Sequence, residues 1–114
     1  MINNKAAKQY VSKLGKIGLI PVGSYGRSSH EESYKDLDFL SFKDLSEVYD
    51  YIFLNYKVKE VMKSGNKFIQ VKLQNDNIID VWKTSKDTFY EDYLSRILTK
   101  EKMIYIYKML NKNS

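Results

Sequence analysis

The chain has 114 residues, 43% of them hydrophobic and 29% charged, which fits one soluble globular domain and excludes two independent cores or extended disorder. It has no cysteine and a single histidine, His30, so disulfides, thiolate metal sites, cysteine nucleophiles and multi-histidine zinc sites are all excluded. The net charge of +5 is unevenly spread: residues 1–22, 57–72 and 96–112 are lysine-rich, whereas acid gathers at 31–50. Basic flanks around an acidic centre suit a polyanion held near a metal ion.

Taken in order, Met1-Ile2-Asn3-Asn4 starts no signal peptide and no apolar run approaches a membrane span. An intracellular protein is expected, cytoplasmic, or nuclear or in a viral factory if the source is eukaryotic or viral. Ala7, Tyr10, Val11 and Leu14 are spaced for an amphipathic helix over residues 2–16, ended by Gly15 and Gly18. Residues 17–22 read as a short buried strand that Pro21 bends or places at an edge. A polar loop with a helical turn after Ser24 spans 23–35, with His30 as a plain loop residue. A second strand covers 36–42, and a helix covers 44–56 with Leu45, Val48, Tyr49, Ile52 and Tyr56 on one face.

Residues 57–62 alternate weakly, as an outer strand would. Two β-rich runs, 68–73 and 78–82, flank Asn75-Asp76-Asn77, whose residue types tolerate the left-handed conformation of a hairpin turn. Thr84 and Asp87 resemble a capping box for a helix burying Phe89, Tyr90, Tyr93, Leu94 and Ile97. A last helix runs from about Thr99 to Lys112, with Met103, Ile106, Tyr107 and Leu110 inward. The expected fold class is α+β: a single domain, 1–114, with a mixed and mostly antiparallel sheet, helices packed on one face and the other face open.

Chemistry concentrates around residues 20–40. Asp36 and Asp38 are two apart on a strand, so their carboxylates share a face. Two adjacent carboxylates raise each other's pKa unless a cation lies between them. Hard divalent ions such as Mg²⁺ take oxygen ligands of this kind together with substrate phosphates. Gly23 and Ser24, at the turn just before, offer backbone N–H groups and a hydroxyl to a phosphate. Asp80 places a charge inside an otherwise apolar strand, which is costly without a partner. If the hairpin packs beside strand 36–42, three carboxylates converge as a two-metal phosphoryl-transfer site requires.

In this order, Gly23-Ser24-Tyr25-Gly26-Arg27 followed by Asp36-Leu37-Asp38-Phe39-Leu40 resembles the signature of the nucleotidyltransferase superfamily typified by DNA polymerase beta. Ile79-Asp80-Val81-Trp82, with Lys86 to Tyr90 and Tyr93-Leu94, is similar to the palm segment of family X DNA polymerases. The resemblance implies a palm-like fold binding two Mg²⁺ ions, with Mn²⁺ as a substitute. It implies that Asp36 and Asp38 bridge both ions and that Asp80 ligates the catalytic one and helps the acceptor hydroxyl lose its proton. Gly23 and Ser24 would hold the β- and γ-phosphates of a nucleoside triphosphate, with Arg27 neutralising the leaving pyrophosphate. Ser95-Arg96-Ile97-Leu98-Thr99 replaces the aromatic-rich turn that reads the sugar in those polymerases, and Lys35 replaces a small residue.

Two activities follow from the resemblance. One is a minimal family X-like DNA polymerase adding dNMP to a DNA 3′-hydroxyl in repair, with Lys5, Lys8, Lys16 and the 57–72 cluster tracking phosphates. The other is a toxin–antitoxin-type transferase placing AMP on a protein partner, which Gly26 before Arg27 favours. The uncovered sheet face would leave room for a homodimer or another subunit.

Overall fold

The structure, a computed structural model, describes residues 1–98 and 100–112. Thr99, and the side chains of Met103, Ile106 and Tyr107, lie outside the described residues. The elements in chain order are β1 (Ile2–Asn3), α1 (Asn4–Gly15), β2 (Ile20–Val22), α2 (Gly23–Arg27), β3 (Ser33–Tyr34), β4 (Leu37–Ser41), α3 (Leu45–Asn55), β5 (Val58–Lys63), β6 (Phe68–Leu73), β7 (Ile78–Lys83), α4 (Phe89–Ile97) and α5 (Lys100–Lys112).

This is an α+β architecture. Its main sheet has five strands in the order β2-β4-β7-β6-β5, and β1 pairs separately with β3. Only the central β4–β7 pair is parallel; β2–β4, β7–β6 and β6–β5 are antiparallel. The mixed, mostly antiparallel sheet read from the sequence is thus present. The β6–β7 hairpin turns through Asp76 at φ 67°, the left-handed position that Asx residues tolerate.

The core forms on one sheet face. Leu37 and Phe39 of β4, Ile79 and Val81 of β7, and Ile69, Val71 and Leu73 of β6 alternate inward. They meet Ala7, Tyr10 and Leu14 of α1 and Leu45, Val48 and Ile52 of α3, the helix faces that the apolar spacing marks. The Asn3 side chain caps α1 by accepting from the Ala6 N–H at 2.8 Å. Tyr10 extends the core polar-side out, its hydroxyl accepting from the Asn75 and Asn77 side chains at 3.0 and 2.9 Å. This clasp ties α1 to the hairpin turn.

Helices are not confined to that face. Val22 and Leu40 are fully buried yet outside the main core, because they point to the opposite face, the one that also carries Asp38. There α4 stacks Phe89 on Phe42 and lays Arg96 over Trp82. A helix with Phe89, Tyr93, Leu94 and Ile97 along it needs an apolar partner, and the far end of β4 and β7 provides one. Tyr90, expected on the buried side, is 74% exposed. The expected capping box is absent too: α4 begins at Phe89 after Thr88, and Thr84 instead donates from Oγ1 to Asp92 Oδ2 at 2.7 Å. Thr88 Oγ1 donates to the same oxygen at 3.0 Å, so Asp92 fastens the helix to the end of β7. In α5, Leu110 is exposed, against the expected inward position. Among the described residues no helix is long and apolar enough to cross a membrane.

Candidate metal and nucleotide site

Parallel pairing of β4 with β7 sets Asp38 directly opposite Asp80, and Gln70 of β6 lies opposite Asp80 on its other side. Residues paired in this way share a sheet face. One row therefore runs Val22, Asp38, Asp80, Gln70 and Lys63 across the sheet. Asp36 precedes β4 and projects to the same side. Carboxylate oxygens of Asp36, Asp38 and Asp80 all lie within 4.8 Å of one another. The convergence expected of positions 42 residues apart in sequence (38 and 80) is realised by one strand pairing.

The cluster is electrostatically unfavourable as it stands. Burial, then the neighbouring Asp80, pushes the Asp38 carboxyl up to about 7, with Arg96 and Arg27 opposing. Asp80 is raised by burial, against the side chains of Asp38 and Gln70, which hold it down. Asp36 is raised by burial and then by Asp38, with Lys35 opposing. Asp80 is 6% exposed, and its Oδ1 is buried without a hydrogen-bond partner among the described residues. An acceptor buried in this way costs on the order of 1–3 kcal/mol, more when charged. An all-oxygen donor set, mutual repulsion and an orphaned buried oxygen fit a hard divalent cation.

Gly23 is placed against the cluster. It sits at φ +64°, a conformation that favours glycine, and a Cβ there would overlap the Asp38 carboxylate. Ser24 and Arg27 are exposed on α2, and Arg27 Nη2 donates to Ser24 Oγ at 3.3 Å. The N-cap residue of α2, Val22, makes no side-chain capping hydrogen bond. Gly23 is therefore packed against Asp38, and Arg27 lies close enough to act on the charge of Asp38. Gly26 has a packing reason: a Cβ would meet Ile97 Cδ1 at 2.7 Å and the Pro21 carbonyl at 2.9 Å. Beside α2, Tyr25, Arg27, His30 and Tyr93 line an open cavity of about 470 Å³. A larger cavity of about 540 Å³, lined by Asp44, Tyr49, Val61 and Ile69 among others, lies on the other sheet face, away from Asp36, Asp38 and Asp80.

Sequence reasoning gave Gln70 no role, and took Lys63 and Arg96 only as members of the basic 57–72 and 96–112 segments. Gln70 and Lys63 could have been found from hairpin register, since each lies in the row of Asp80. Arg96 gives no such signal, because the side of the sheet on which α4 packs is a tertiary matter. Comparison with protein-family models finds no matching family, and comparison with curated proteins finds no matching relative.

Proposed function

We propose that the chain is a Mg²⁺-dependent nucleotidyltransferase with a fold of the polymerase beta palm type, adding dNMP from a dNTP to a DNA 3′-hydroxyl, as in repair. The observation that carries this reading is the convergence of Asp36, Asp38 and Asp80 on one sheet face, with Gly23 packed against Asp38. The three carboxylates would hold the two Mg²⁺ ions, which supply Lewis-acid activation of a hydroxyl and neutralise charge on the transferring phosphate. Gly23 and Ser24 hold the β- and γ-phosphates, and Arg27 neutralises charge on the leaving pyrophosphate. The acceptor oxygen forms a bond to the α-phosphorus, the α–β phosphoanhydride bond breaks, and pyrophosphate leaves on the Arg27 side. Asp80 helps the acceptor hydroxyl lose its proton. Such transfer rests on positioning and charge stabilisation, with no covalent enzyme intermediate.

The same chemistry would place AMP on a protein hydroxyl. Gly26, which favours that acceptor in the sequence, is equally required by its contacts with Ile97 and Pro21, so DNA stands as the first reading. Incubation with Mg²⁺, labelled dATP or ATP, and either gapped DNA or a cell extract separates the two. Extension of the DNA supports the polymerase, and label on a protein band supports the AMP transferase. No transfer with either acceptor, in Mg²⁺ or Mn²⁺, removes both.

A further inference from the structure

Arg96 sits on α4 with its guanidinium 3.6 Å from the centre of the Trp82 ring, whose ring centre is 4.0 Å from that of Phe68. Trp82 is two residues beyond Asp80 on the same face of β7, about 7 Å along the strand. The cation is therefore held over the Trp82 ring on the carboxylate face, close enough to act on the charge of Asp38. Its Nε is buried with no hydrogen-bond partner, and it makes no ion pair among the described residues. A buried guanidinium N–H left without an acceptor is costly, and the fork of donors it belongs to matches phosphate oxygens.

A second guanidinium is tied to it. Arg27 Nη1 donates to the backbone carbonyl of Arg96 at 3.5 Å, while Nη2 reaches Ser24. Arg27 likewise makes no ion pair among the described residues. Two cations, neither in a direct ion pair among the described residues though both act on the charge of Asp38, thus stand together beside the carboxylate cluster, one on α2 and one on α4.

We propose that Arg96 is a second anion-binding residue of the nucleotide site, taking phosphate oxygens of a nucleoside triphosphate jointly with Arg27 and Ser24 while Trp82 fixes its plane. This rests on the nucleotidyltransferase reading for the identity of the anion, but not for its existence. Anchoring through Arg96 joins α4 to the substrate, so the triphosphate bridges α2 and α4.

The chain has one tryptophan, so the fluorescence of Trp82 reports on Arg96 directly. The full chain is titrated in Mg²⁺ with inorganic tripolyphosphate, with ATP and with adenosine, followed by fluorescence and by calorimetry. A saturable Trp82 response to tripolyphosphate and ATP, absent with adenosine, is expected. Arg96→Ala and Arg96→Gln should weaken tripolyphosphate binding about tenfold or more, with Arg96→Lys intermediate. Circular dichroism checks that each variant is folded, and Gln keeps most of the side chain over the indole.

Unchanged calorimetric affinity in folded Arg96→Ala and Arg96→Gln overturns the proposal, as does the lack of any saturable binding to the native chain. Arg96-dependent binding without transfer to any acceptor upholds the anion site and removes the nucleotidyltransferase reading. Transfer that persists in Arg96→Gln with an unchanged nucleotide KM removes Arg96 and leaves that reading standing.

Discussion

At the scale of single residues, the carboxylate cluster costs stability when it is charged and holds no cation. Asp38 is raised from an ordinary carboxylate value to about 7, so the folded chain binds a proton more tightly than the unfolded chain does. Between the unfolded value near 4 and about 7, the folded state carries more protons, and stability therefore falls as pH rises through that window. Thermal melts without divalent ions should show this decline, and Asp38→Asn should flatten it and raise Tm by a few degrees. Mg²⁺ competes with the same proton, so its stabilising effect on the native chain should grow from pH 5 to pH 8. Asp38→Asn should also abolish turnover while leaving the circular dichroism spectrum unchanged; retained turnover would remove the metal assignment. Gly23→Ala should cost about 1–2 kcal/mol from its left-handed φ alone, measured by urea unfolding. Displacement of Asp38 should bring the loss of activity with it.

Among the elements, the decisive one is the central β4–β7 pair. Much of it was legible: β-branched and aromatic runs around Asn75-Asp76-Asn77 marked the hairpin, and the spacing of Asp36 and Asp38 marked a shared face. The isolated charge at Asp80 signalled a partner because a buried strand rarely tolerates one. The β1–β3 pair was not legible, since two residues per strand are too few to show alternation, although Ile2 and Tyr34 are both buried. The side on which α4 packs was also hidden. Its apolar stripe states that it is buried but not where, and the deciding contacts with Phe42 and Trp82 are made across the sheet. Thr84 misled because its spacing to Asp87 matches a capping box, whereas its hydroxyl donates past that residue to Asp92, eight positions on. The α1 and α3 helices sit behind the sheet, so their loss should act through stability alone. Leu14→Ala, at a fully buried position, should cost about 2–5 kcal/mol in urea unfolding yet leave KM unchanged below its Tm.

For the molecule as a whole, the sheet separates a structural face from a chemical one. Lys5 and Lys8 lie on α1, behind the sheet, with Lys16 at its C-terminal cap, whereas Lys63 and Lys72 lie on the carboxylate face of β5 and β6. A nucleic acid engaged at the cluster would meet the second pair. Lys63→Glu with Lys72→Glu should therefore weaken DNA binding and flatten its salt dependence, while Lys5→Glu with Lys8→Glu leaves both unchanged. Equal losses from the two pairs would place the nucleic acid elsewhere. Everything proposed for this surface depends on three aspartates, from β4 and its N-terminal edge and from β7, acting as one cation site. The most direct test is Mn²⁺ binding followed by electron paramagnetic resonance on the native chain and on Asp80→Asn. Saturable binding that Asp80→Asn weakens at least tenfold is the result the arrangement requires. Equal affinity in the two proteins, or no binding to the native chain, would contradict it.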